Sequence, residues 1–492
     1  MHIPLDFPFA ERYFSKRYDV KKWAVKSKEV YSNGGGGSRP SIGRGHFMKQ
    51  DRVFYRNLRR FYPTADRGEG IYIYDTTGKK YIDGSGGAAV VGIGHGVKEI
   101  TEAMVRQAEK ISFSHGSQFT SQPTLDLAAQ LVRLAPEGLT RVYFLSGGSE
   151  AIETAVKMAR QYQVERGKPE KYKVISRWTS YHGNTLGALA LSGHTGRRRY
   201  YLPFIQHTPH IQPAYCYRCP FGLEPEKCTL ECALDLEKTI LYEGPDSVSA
   251  FIAEPVVGAT AGALVPRQGY FQKIREICDR YDVLFIADEV MTGLGRTGKN
   301  FGIDHWNVKP DMIVAAKGLS SGYTPIFTVM AREEIHRMIQ EGSGTFVHGH
   351  TYSQNPLSSA IALAVIDYLL KHDLISRAAR MGEYLLRALQ SLSRHGFVGD
   401  VRGKGLLAGI ELVKDKKTKE PFGPQLKLNA KIANLAFEKG LITYPGGGGA
   451  DGIKGDHLLL APPFIITEEQ VDQMVAILDQ TFTEIAKEIR TK

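Results

Sequence analysis

The sequence predicts an α/β fold on a mostly parallel sheet, followed by a separate α+β unit. Three observations carry this. Short β-rich runs alternate with helix-like stretches between about residues 100 and 330. Two of the runs, Val283–Ala287 and Met312–Ala316, lead directly into ionisable residues, Asp288 and Lys317. From about residue 366 the alternation gives way to amphipathic helices, with Leu385, Leu386, Leu389 and Leu392 on one stripe, and short strands such as Leu406–Leu412.

Residues 1–47 differ from the rest, being basic, studded with aromatics and closed by Asn33-Gly34-Gly35-Gly36-Gly37-Ser38, a flexible-linker composition. They read as an addition upstream of a start at Met48, or as a native flexible arm. Ile71–Asp83 reads as a hairpin around a turn containing Gly78. Val142–Leu145 precedes a helix over Glu150–Arg160, and the runs Val174–Ile175, Val248–Ala253, Val283–Ala287 and Met312–Ala316 follow. The expected division is a segment 48–100 packing with the smaller unit, a large unit 101–365 and a small unit 366–492. There are no internal repeats.

The 492 residues suffice for a large core, with 42% hydrophobic and 23% charged content, ordinary for a globular protein. The longest apolar region, Val248–Val265, is broken by Glu254, so no membrane span is expected. The start lacks the basic-then-apolar layout of a secretory signal, and a cytoplasmic location is expected. The net charge of +11 owes five to residues 1–47 and is otherwise dispersed, which argues against nucleic acid. Arg197-Arg198-Arg199 is the one basic triplet, either a solvated patch or an anion-guiding rim.

In an α/β sheet, ligands bind beyond the carboxyl ends of the strands. Lys317 there offers an amine that condenses with an aldehyde, and Asp288 a carboxylate that can hold a pyridine nitrogen protonated. Together they are the chemical minimum for pyridoxal phosphate catalysis. Ser146-Gly147-Gly148-Ser149 lies between a strand and a helix, a setting for phosphate at a helix N-terminus or for a packing turn. Tyr181, before His182 and Gly183, can cover a flat heterocycle or pack in the core, and Val290 can floor the ring. Thr351 can offer a hydroxyl to phosphate, and Arg402 can clamp a carboxylate; either can equally be a turn residue.

In combination and in this order, these pieces resemble the class III, fold type I, pyridoxal-phosphate-dependent aminotransferases over about Tyr72–Thr467. The strongest match is Asp288-Glu289-Val290-Met291-Thr292-Gly293-Leu294-Gly295-Arg296-Thr297-Gly298 followed by Lys317. The resemblance implies a seven-stranded, mostly parallel sheet and a homodimer with shared sites. It implies that Lys317 bonds the cofactor as a Schiff base and that Asp288 pairs with the ring nitrogen. Tyr181 would stack opposite Val290, with His182 also at the cofactor. Gly148 and Ser149 would hold phosphate, with Thr351 added from the neighbouring subunit. The family's Glu-Pro signature is matched by Glu254-Pro255.

Two departures bear on substrate. Met291 stands where the family often has a glutamine bonded to the ring oxygen. Ala259 stands where ornithine-type members carry a glutamate gate, which predicts Arg402 free for a keto acid, pyruvate or 2-oxoglutarate. This is closer to the ω-amine and β-amino-acid branch, with a small apolar donor pocket at Ala88, Ala89 and Val90. Transamination of a primary amine is the expected activity. A decarboxylase or aminomutase of the same fold is the alternative, and a non-catalytic binding protein a further one.

Outside the family pattern, Cys216-x2-Cys219-x8-Cys228-x3-Cys232 places four of five cysteines within 17 residues. The spacing suits a metal-thiolate site, disulfides or free thiols. No metal is assigned to catalysis.

Overall fold

The computed structural model describes residues 52–490, so the leading segment 1–47 lies outside the described residues. The backbone separates into two units, up to Tyr62 and from Pro63 to Lys492. In the described part of the first, the Tyr55 and Tyr62 rings stack 4.8 Å apart.

The second unit is organised by a seven-stranded sheet. Its strands are β1 (Leu139–Leu145), β2 (Lys173–Arg177), β3 (His210–Ile211), β4 (Val248–Ala253), β5 (Leu284–Glu289), β6 (Met312–Ala315) and β7 (Phe327–Arg332). The spatial order is β1-β7-β6-β5-β4-β2-β3. All neighbours are parallel except β7, which runs antiparallel to both β1 and β6. The other six strands therefore end on one edge. Strands β3 and β7 were not foreseen: the first is two residues long, and the second carries little period that separates it from its surroundings.

β4 and β5 are buried at every position. Successive residues feed opposite cores, as strand pleating requires. Phe251, Phe285 and Ile313 join the core under Tyr270–Arg280, whereas Ile252, Ile286 and Val314 join the one under Gly148–Glu165. Coverage on both faces is the usual condition of a parallel sheet.

A second core lies towards the C-terminus, around the antiparallel sheet of Val398–Lys404, Leu407–Leu412, Asp456–Leu460 and Tyr444–Gly446. The expected hairpin forms, Tyr72↔Ile82 and Tyr74↔Lys80, and its second strand pairs with Leu441–Ile442. Residue 366 falls inside one helix, Pro356–Lys371, which serves both cores. Its Ala362 and Ile366 enter the large core, and its Ile361, Val365 and Leu369 the small one.

Arg296, in the glycine-rich turn after β5, joins three segments. Its guanidinium donates to the carbonyls of Leu406 (3.1 Å), Pro462 (2.6 Å) and Val91 (3.1 Å) and lies over the Phe464 ring. Burial pushes its pKa down to about 9. Replacing it with methionine strands three buried carbonyls. Arg296→Met is expected to lower stability by about 3–5 kcal/mol in urea unfolding; a loss below about 1 kcal/mol would contradict this role.

Candidate active site

Three ionisable residues sit at the carboxyl ends of three adjacent parallel strands. Glu254 follows β4, Asp288 is the fifth residue of β5, and Lys317 lies two residues past β6. The register pairs Ala253 with Ala287 and Asp288 with Val314, so the three ends stand side by side. Lys317 opens a tight turn, Lys317–Leu319, in the left-handed region at φ 46°. A non-glycine residue held there stores strain, and such strain concentrates at functional sites.

The Asp288 carboxylate is buried. Its Oδ2 lies 2.7 Å from His182 Nδ1, and its Oδ1 accepts from the Val290 amide at 3.1 Å. His182 is itself buried, and its Nε2 has no hydrogen-bond partner among the described residues. Val290 lies just past the strand, half-buried. Glu254 accepts from the Tyr181 amide (3.2 Å) and from the Gly258 amide (3.4 Å), tying Tyr181 to the same edge.

Burial dominates the electrostatics. It pushes Lys317 down to about 8, against the pull of Asp288 and Glu254 and with help from Arg197 and Arg296. It pushes Glu254 up to about 7, with Asp288 adding and His182 and Arg177 opposing. An amine so placed is neutral and nucleophilic far below the usual lysine range.

Gly148–Glu165 forms the long helix expected after β1, and Gly147 at its cap offers no side-chain acceptor. Its first amides are thus open to an anion. Ser149 Oγ accepts from the Asn184 amide at 2.8 Å, leaving its own proton to donate. A side chain at Gly148 would meet the Phe327 ring at 3.1 Å, and one at Gly183 would meet Ser149 Oγ at 2.5 Å. An open helix N-terminus, an amine and a buried carboxylate fit the phosphate, aldehyde and ring nitrogen of pyridoxal phosphate.

One expected residue stands elsewhere. Arg402 is not free. It donates to Gly262 O (2.8 Å), Ala261 O, Asp400 Oδ2 (2.7 Å) and Glu411 Oε2 (2.7 Å), and its pKa is held far above the ordinary value. The physical reason is Glu411. It is buried in an otherwise apolar strand and requires a cation, so it captures Arg402 even though Ala259 provides no gate. Glu411 was the overlooked signal, an acid amid Leu407–Leu412. Arg402 instead lines a cavity of about 860 Å³ with Tyr217, Arg218, Cys219 and Asp400. Thr351 is exposed, and among the described residues no hydrogen bond joins it to Gly148, Ser149 or Lys317.

Other expected positions are near the site. Val90 faces the turn after Lys317, where a side chain at Gly322 would meet it at 3.5 Å. Ala89 is buried in the large core. Met291 is buried against Gly258 and offers no N–H to a ring oxygen. The four clustered cysteines are free thiols, burial pushing Cys232 up to about 12. Among the described residues no three His, Cys, Asp or Glu side chains are grouped to hold a metal.

With this geometry in place, comparison with known proteins is specific. Residues 54–482 match the aminotransferase class-III family. The uncharacterised aminotransferase YodT of Bacillus subtilis is 43% identical over 431 residues, 87% of this chain and 97% of that protein. The putrescine–pyruvate aminotransferase of Pseudomonas aeruginosa is 38% identical, over 84% of this chain and 90% of its own. The ω-transaminase of Pseudomonas jessenii, solved in complex with PMP, superposes with a TM-score of 0.81 at 35% identity, covering 87% of this chain and 93% of that one. The chain belongs to the class III aminotransferases, enzymes of fold type I that use pyridoxal phosphate.

Two predictions follow from these charges. Because the Lys317 pKa is lowered, its neutral fraction rises with pH around a midpoint near 8. The rate at which apoprotein takes up pyridoxal phosphate, followed by absorbance, should climb from pH 7 to 9 and then level; a climb continuing past pH 10 would place the amine in water. Glu411→Gln leaves two buried guanidiniums, Arg402 and Arg218, with Asp400 as the one remaining carboxylate of the set and should cost about 3–5 kcal/mol in urea unfolding. An unchanged midpoint would mean that Arg402 is not held there.

Proposed function

We propose that the chain transfers an amino group from a primary amine or an ω- or β-amino acid to pyruvate or 2-oxoglutarate in a ping-pong cycle. The observation that carries this reading is the half-buried Lys317 amine beside the buried Asp288 carboxylate at one sheet edge. The likeness to a putrescine–pyruvate aminotransferase supports a donor amine remote from any carboxylate, with pyruvate as acceptor.

When bound, pyridoxal phosphate supplies an aldehyde and a ring that accepts the electron pair left when a C–H bond breaks. The chain supplies the rest. Lys317 Nζ would take the proton from the substrate carbon bearing nitrogen and deliver it to the carbon that the aldehyde supplied, a role suited to a pKa near 8. Asp288 holds positive charge at the ring nitrogen, with His182 fixing its Oδ2. Tyr181 and Val290 would cover the ring, and the amides of Gly148 and Ser149 would hold phosphate.

The proposal extends to a homodimer in which Thr351 reaches the neighbouring phosphate. Thr351 is exposed and precedes Tyr352, also exposed, whose ring meets that of exposed Phe113 with centroids 5.7 Å apart. A cytoplasmic location suits five free cysteines, and among the described residues no helix is long and apolar enough to cross a membrane.

Lys317→Ala should fold with an unaltered circular-dichroism spectrum and lose amine-to-pyruvate turnover by on the order of 10⁴-fold. Borohydride reduction of the holoenzyme should tag a single peptide containing residue 317. A tag elsewhere, or turnover without an external keto acid, would overturn the reading.

A further inference from the structure

With Arg402 and Arg296 both saturated, the carboxylate of a keto acid needs another cation. Arg197 is available. It lies in the short turn Thr195–Arg198, half-buried, with its guanidinium carbon 4.2 Å from the centre of the Tyr181 ring. Among the described residues its guanidinium makes one hydrogen bond, to the Tyr444 hydroxyl at 3.4 Å, near the limit for such a bond. Among the described residues no ion pair joins it to a carboxylate.

The surroundings are built to close over this residue. The segment after Tyr444, Gly446–Gly455, packs its backbone on the turn that carries Arg197. His194 Nε2 lies 2.9 Å from Gly447 O, and a side chain at Gly452 would strike Thr195 Oγ1 at 2.5 Å. Gly452 also adopts φ 86°, so both space and backbone demand glycine. The positive charge of Arg197 reaches Lys317 and helps to lower its basicity.

We infer that Arg197 is the carboxylate-binding and specificity-determining residue of the substrate pocket, pairing with the acid group of the keto-acid acceptor while its carbonyl faces Lys317. A planar guanidinium meets a carboxylate through two parallel N–H···O bonds, which fixes orientation as well as position. The inference rests on the transaminase reading and names the residue that recognises its substrate class, an acid-bearing carbonyl compound.

The test compares two acceptors of equal length with holoenzyme, pyruvate and propanal, the second lacking the carboxylate. Arg197→Gln should lower kcat/KM for pyruvate by about 100-fold, chiefly through KM, and change that for propanal by less than about threefold. Arg197→Lys should recover part of the loss. A second readout needs no turnover: calorimetric titration with propionate, an unreactive carboxylate, should show a dissociation constant raised about tenfold or more in Arg197→Gln. An equal loss with both acceptors, or unchanged propionate binding, would overturn the inference. If wild-type enzyme transaminates no acceptor yet its propionate binding falls on Arg197→Gln, the transaminase reading fails and the carboxylate site stands.

Discussion

The site depends on the burial of one carboxylate. Asp288 ends a strand that is covered on both faces, where an unpaired negative charge is costly. His182 answers it on one oxygen, and the Val290 amide on the other. Both of its oxygens are thereby oriented by hydrogen bonds. A positive ring nitrogen can complete the arrangement. The parallel sheet places the other groups: with all neighbours running the same way, the residue after β4 and the second residue after β6 must emerge beside Asp288.

The segment that faces this edge from residues 86–97 is held by the same turns that shape the site. Ser321, four residues after Lys317 and also at positive φ, accepts from the amides of Gly92 (2.8 Å) and Ile93 (3.0 Å). Tyr323 accepts from the Val97 amide at 2.8 Å, and Arg296 takes the Val91 carbonyl. The strained turn at Lys317 is thus clamped by hydrogen bonds to a distant part of the chain, which is how a left-handed lysine persists.

What was legible in the sequence was local. Asp288 and Lys317 could be recognised because an apolar run ending in a charge marks a buried strand reaching an edge. The phosphate turn was visible because glycine and serine between a strand and a helix have few other uses. The fate of Arg402 was not, because it is decided across strands. Its neighbour in register is Gly409, and the acid that claims it stands two residues further along, from a strand whose pairing no local pattern reveals. Arg197 was ambiguous for the same reason: three consecutive arginines point in different directions, Arg198 buried, Arg199 exposed and Arg197 at Tyr181, and only the fold assigns them. β7 escaped because an antiparallel strand inserted between β1 and β6 follows the alternation of strand and helix no longer.

The cysteine-bearing segment gives the closed state of Arg402 a structural basis. Tyr215 donates its hydroxyl to Glu411 Oε2, and Arg218 Nε donates to Oε1 at 2.6 Å, the first residue just before Cys216 and the second just before Cys219. Arg402 stacks over the Tyr215 ring as it bonds Asp400 and Glu411. Two guanidinium groups and two carboxylates therefore balance in charge, and a substrate acid entering the set would have to displace Glu411 from both arginines. Burial makes that exchange unfavourable, because the displaced carboxylate would be left unpaired. At the sheet edge the balance differs: burial pushes Glu254 up to about 7, and among the described residues no carboxylate is paired with Arg197. The surplus of positive potential lies at Arg197, so an anionic substrate gains more there than at the arginine that sequence alone would choose.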